Sequence, residues 1–103
     1  MQDLGIMSLH TDEALLKLIG KRIQAIRKER KMSLRDVAFR IGMETSNLSV
    51  IENGKSNPQV LTYAKIAFAL DCDVREFFDF EPSFNYKAFG EQPATYSPRK
   101  HSK

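Results

Sequence analysis

Between residues 16 and 78 the apolar side chains recur mainly every three or four positions, with no sustained strand-like alternation. That spacing gathers them on one face of an α-helix and argues against strands. Leu16, Ile19, Ile23 and Ile26 mark a first amphipathic helix over about residues 12–31. Thr11-Asp12-Glu13 predicts its start, a hydroxyl cap followed by acids where the helix dipole favours them. The run Arg27-Lys28-Glu29-Arg30-Lys31 suits its C-terminal end. Ser33 caps a short second helix carrying Leu34, Val37, Ala38 and Ile41, and Gly42 follows as a left-handed stop. A third helix, Thr45 to Glu52, carries Leu48 and Ile51 three apart and ends at the turn dipeptide Asn53-Gly54. Lys55-Ser56-Asn57-Pro58 is a loop, with Asn57 held extended by the proline that follows. A fourth helix spans about Gln59 to Leu70, and a short fifth runs from the cap Asp73 through Val74, Phe77 and Phe78.

Five helices and no strand predict an all-α domain. Its limits are about residues 12–80. Residues 1–11 are expected to form a flexible N-terminus, and residues 81–103, which hold three of the four prolines, a largely irregular tail.

The link between the second and third helices is only two or three residues around Gly42-Met43-Glu44. So short a link forces two short helices to cross steeply, as in a helix-turn-helix. The crossing needs a small residue under the second helix, a residue free to take positive φ, and two inward anchors one turn apart. Ala38, Gly42, Leu48 and Ile51 meet those needs in register.

With Leu48 and Ile51 inward, the opposite side of the third helix presents Ser46, Ser49, Asn53 and, at its edge, Val50. Thr45 sits at the N-terminal tip. Asn47 lies nearer the inward side, placed to bond backbone in the turn. Hydroxyls can donate to or accept from base edges, and an outward valine can pack on a thymine methyl. Thr45, Ser46, Ser49 and Val50 are therefore the candidate base readers. Ser33, Arg35, Arg40, Asn53, Lys55 and Asn57 are the candidate phosphate contacts.

The segment from Met32 to Lys55 resembles the helix-turn-helix of phage repressors and Cro proteins, also called the xenobiotic-response-element family. Ile51-Glu52-Asn53-Gly54-Lys55, Asn57-Pro58 and the later Asp73-Val74-Arg75-Glu76-Phe77-Phe78 carry the likeness further. It covers roughly residues 16–80. The resemblance implies a five-helix DNA-binding domain, a dimeric transcriptional regulator, and base contacts at Thr45, Ser46 and Val50. It also implies an ion pair between Arg27 and Glu52 that ties the third helix to the first. Three positions depart from the family's pattern. Leu34 replaces a common glutamine, and Phe39 and Phe68 stand where Glu or Lys is usual.

Charge adds to this picture. The net charge is +3, but residues 13–55 hold ten Lys/Arg against five Asp/Glu, and an acidic stretch follows. One face for a polyanion and another for a different contact is the reading this favours. Five of seven phenylalanines lie beyond residue 76. That surplus makes Phe68, Val74, Phe77 and Phe78 the candidate homodimer surface, and the tail a candidate surface for a protein partner.

The 103 residues suit one domain. The single cysteine, Cys72, excludes an intrachain disulfide. No secretory signal or membrane-length apolar run is visible, so a cytoplasmic, nucleoid-associated protein is expected. Metalloprotease, nucleophile-elbow and Walker motifs are absent, and His10 and His101 lie in the terminal segments. Neither catalysis nor a metal or other cofactor is expected. Two further roles fit the same residues: an antitoxin that binds both operator and toxin, and the controller protein of a restriction-modification system.

Overall fold

The computed structural model describes residues 4–91, with side chains from His10 onward. Its elements are α1 (Leu4–Glu29), α2 (Leu34–Arg40), α3 (Thr45–Glu52), α4 (Val60–Leu70) and two 3₁₀ helices, Val74–Phe78 and Tyr86–Glu91. Among the described residues there is no strand, and no helix is long and apolar enough to cross a membrane.

The central elements lie where the pattern predicts them. Ser33 Oγ accepts from the Asp36 amide at 3.0 Å, and the Asp36 carboxylate accepts from the Ser33 amide at 2.9 Å. This reciprocal capping box starts α2 and holds the Asp36 carboxyl below its ordinary value, mainly through the Ser33 backbone N–H. At the other end Gly42 takes φ 67, with Met43 N bonded to the Ala38 carbonyl and Gly42 N to the Phe39 carbonyl. These two bonds use carbonyls that the end of a helix leaves unpaired.

Both ends of the domain depart from expectation. Helix α1 begins at Leu4, so Thr11 lies inside it rather than at its start. No proline precedes Pro58, and nothing in the sequence obliges the chain to leave the helix at Thr11. The same helix ends at Glu29 rather than Lys31, because Lys31 takes the left-handed φ of 59. Its inward stripe uses Leu15 and Leu18 beside Ile19, Ile23 and Ile26, while Leu16 stays partly exposed. On that side Leu18 and Phe84, from the C-terminal arm, line one hollow.

The fifth element is a 3₁₀ helix, opened by Asp73 Oδ1 accepting from the Arg75 amide at 2.8 Å. The second 3₁₀ helix lies in the stretch expected to be irregular. Asn85 Oδ1 accepts from the Lys87 amide at 3.2 Å and nucleates that turn. Rings of Tyr86 and Phe89 then meet Phe84 at 4.8 and 5.8 Å between centroids. Residues 92–103 of the expected tail, His101 among them, lie outside the described residues.

One core joins all of this. Ile19, Ile23 and Ile26 meet Val37, Ala38, Leu48, Ile51, Tyr63, Ile66, Leu70, Phe77 and Phe80. Phe77 is 0% exposed and sets its ring edge-on to Tyr63. It fills the interior and cannot form the dimer surface for which the sequence nominated it. Five-residue helices give weak angular information, so Phe77 and Phe78 could not be told apart by periodicity.

Candidate nucleic-acid interface

The seating of α3 decides what the domain can touch. Leu48 is fully buried and Ile51 nearly so, which fixes the rotation of the helix. Behind it lies a buried ion pair. Arg27 Nε donates to Glu52 Oε2 at 2.7 Å and Nη2 to Oε1 at 3.1 Å, and Nη1 donates to the Met32 carbonyl at 2.9 Å. Gln24 Nε2 adds a longer bond, 3.4 Å, to Glu52 Oε1. The guanidinium thus joins α1, the end of α3 and the lead into α2. Two parallel bonds fix orientation as well as distance. With every group partnered, the buried charges are tolerated, whereas removing one strands the other.

A close backbone approach accompanies the pair. A Cβ on Gly20 would overlap the Glu52 carbonyl oxygen and lie 2.6 Å from that of Ile51. Glycine at this position lets the end of α3 rest directly on α1. The sequence held no sign of this, because a glycine inside a helical pattern reads only as a weak helix former.

Outward, Thr45, Ser46, Asn47 and Val50 are exposed, Val50 to 41%, and Ser49 is half-buried. Ser46, Asn53 and Val50 lie on the exposed side that the helical angle predicts, whereas Asn47 is more open and Ser49 more covered than expected. Asn47 differs from expectation: its side chain makes no hydrogen bond among the described residues, leaving a free amide beside Ser46. Glu44 precedes the helix in extended backbone and makes no side-chain cap. Both add polar groups to this face that the sequence reading did not assign.

The candidate phosphate contacts divide. Arg35, Lys55 and Asn57 are exposed, without a hydrogen bond or ion pair from their side chains to a described residue. Ser33 uses its oxygen in the capping box but keeps its hydroxyl hydrogen to donate. Asn53 is exposed but folds back, donating from Nδ2 to the Ser49 carbonyl at 2.9 Å. Arg40 is partly engaged. Its Nη1 donates to the Ala69 carbonyl at 3.2 Å, while Arg30 reaches the carbonyls of Leu70 and Asp71 at 2.7 and 3.2 Å. The C-terminal carbonyls of α4 carry partial negative charge and draw in both arginines. Arg40 is itself exposed and uses one N–H on α4, which leaves its charge and further donors for a phosphate.

The thiol of Cys72 is half-buried, and its pKa is raised by burial and by the Glu76 carboxylate. Such a thiol is a poor nucleophile. No group of three His, Cys, Asp or Glu residues suited to a metal occurs among the described residues.

A helix-turn-helix family model matches residues 23–77, more than half of the chain. The chain belongs to the helix-turn-helix family. SinR, a helix-turn-helix transcriptional regulator of Bacillus subtilis (strain 168), is 36% identical over 70 residues, covering 67% of this chain and 63% of SinR. The immunity repressor protein of Bacillus phage phi105 is 39% identical over 56 residues, 54% of this chain and 39% of the repressor. Each match thus spans less than two thirds of the curated regulator. Among solved structures, the restriction-modification controller protein C.AhdI from Aeromonas hydrophila superposes with a TM-score of 0.62 at 32% identity. That match covers 63% of this chain and 98% of the controller. The α2–α3 unit lies wholly inside the matched residues 23–77.

Proposed function

We propose that this chain is a sequence-specific, DNA-binding transcriptional repressor or autoregulator that reads the major groove with α3. One observation carries the reading: a recognition-type helix whose outward face is polar, whose inward face is anchored, and whose end is locked by the Arg27–Glu52 pair. In helix-turn-helix proteins the N-terminal end of that helix meets base edges. Thr45, Ser46, Ser49 and Val50 take that role here. Ser33, Arg35, Lys55 and Asn57 hold phosphates, with the exposed Asn53 beside them. Binding rather than catalysis is the activity we assign, in the cytoplasm.

The active species is a homodimer. Phe68 is 74% exposed, Phe78 is partly exposed against Tyr63, and Val74 is half-buried. A two-fold pair presents two α3 helices to half-sites about 34 Å apart or a multiple of that. Sedimentation at high micromolar concentration tests this, and a monomer there counts against the dimer.

A second reading has its own support. The likeness to C.AhdI spans nearly that whole controller, so regulation of a restriction-modification operon fits the same domain. A methyltransferase gene beside this one would favour it. Selection from random duplexes, read by sequencing, tests both readings, because each requires a defined operator.

A further inference from the structure

Two hollows lie side by side where α1 passes the end of α3. One, of about 350 Å³, is lined by Lys17, Lys21, Gln24, Glu52 and Asn53. The other, of about 190 Å³, is lined by Glu13, Lys17, Gly54 and Lys55. Lys17 belongs to both. Lys21, Lys17 and Lys55 therefore form a continuous track that runs off the C-terminal end of α3 and along α1. All three are exposed, and none has a carboxylate within ion-pair distance among the described residues. Of the two acids that line the hollows, Glu52 is neutralised by Arg27 and only Glu13 offers a free carboxylate.

Local geometry holds the track in place. A Cβ on Gly54 would lie 2.6 Å from both Cα and Cγ of Lys17, so backbone of the α3–α4 loop sits directly on the lysine stem. Lys17 is thereby fixed relative to Lys55, one residue past that contact. The track starts about 12 Å from the tip of α3, the length of an eight-residue helix. It is thus displaced from the base-reading end.

We infer that Lys17 and Lys21, together with Lys55, form a phosphate-binding track for the DNA backbone beside the groove that α3 enters. The inference rests on the DNA-binding reading and adds to it a surface of α1 that lies outside the matched family segment. Compact ammonium groups without fixed hydrogen-bond geometry suit a row of phosphates and carry no base information. Each contact releases counterions, so the track contributes affinity and salt dependence.

The test uses the full chain and its selected operator duplex. Lys17→Met keeps the stem beneath Gly54 and removes only the charge, and Lys21→Gln changes an exposed side chain. Each should make the slope of log affinity against log salt shallower by about 0.9. The preference for operator over unrelated duplex should stay constant. Lys65→Gln, an exposed lysine of α4 outside both hollows, serves as the control for general charge and should leave the slope unchanged. Unchanged slopes in both track variants, equal loss in the control, or altered base preference would each overturn the inference. Failure of the wild-type chain to prefer any duplex would instead remove the DNA-binding reading itself. Unfolding midpoints of the three variants within about a degree of wild type exclude a folding effect, and if Lys17→Met falls outside that range Lys21→Gln decides alone.

Discussion

The α2–α3 unit and the layer between α1 and the arm of residues 81–91 are held by different forces. In the first, a capping box, a left-handed glycine stop and a bidentate buried ion pair fix direction as well as proximity. In the second, α1 and the arm share an apolar hollow lined by Ala14, Leu18 and Phe84, and Tyr86 and Phe89 pack their rings on Phe84. Aromatic contacts stabilise but tolerate small slides. The difference suits the proposed function: a helix that aligns with base edges needs directional bonds, whereas a supporting layer needs only to exclude water.

Substitutions at the two places should therefore differ in size. Glu52→Ala leaves the Arg27 guanidinium buried and alone, and should cost about 3–5 kcal/mol in denaturant unfolding. A double-mutant cycle with Arg27→Ala should return a coupling of about 0.5–3 kcal/mol. Zero coupling would reduce the pair to an incidental contact. Ala38→Leu should overpack the buried α2–α3 crossing, at about 1–3 kcal/mol.

Gly42→Val should cost less. Nothing lies within 4 Å of a Cβ there, so only the positive φ opposes it, worth about 1–2 kcal/mol. An unchanged melting temperature would show that the turn re-forms without a left-handed residue. Phe89→Ala, in the arm, should cost less than about 1 kcal/mol, because that ring is partly exposed. A larger loss than at Ala38 would invert the comparison.

The smallest effect concerns pH. The Asp36 carboxyl, lowered below its ordinary 3.8 by the Ser33 backbone N–H, contributes stability above that value. The contribution fades as pH falls through the lower folded value. Asp36→Asn should lower stability slightly above about pH 4, where the contribution is complete, and converge with wild type at lower pH, so that the acid limb of the unfolding profile flattens.

The legible part of the molecule was the part with dense local constraints. Ser33, Gly42, Leu48 and Ile51 each answer a demand set by neighbours a few residues away, so spacing alone located α2, the turn and α3. The family resemblance supplied the Arg27–Glu52 pair, which is 25 residues apart in the chain and not visible in any local pattern. What stayed hidden depends on distant chain. Gly20 is needed because α3 lies on it, and Arg40 is partly engaged because the end of α4 reaches it. Thr11 looked like a helix start because cap residues are permissive, and only the absence of a break upstream lets α1 continue through it. Phe77 and Phe78 are neighbours with opposite fates, decided by how a 3₁₀ turn sets against Tyr63.

The most direct test of the central claim is the base preference of Val50→Ala, measured against wild type on the selected operator and its single-base substitutions. If α3 reads the groove as seated here, the wild type discriminates at the valine-contacted pair by about 1–3 kcal/mol. The variant loses part of that preference at one pair in each half-site and keeps its affinity for unrelated duplex. Replacing the contacted thymine with uracil should remove the same increment, so the two changes should not add. A uniform loss across all sequences, or a change in thermal stability alone, would contradict the account and make Val50 a packing residue.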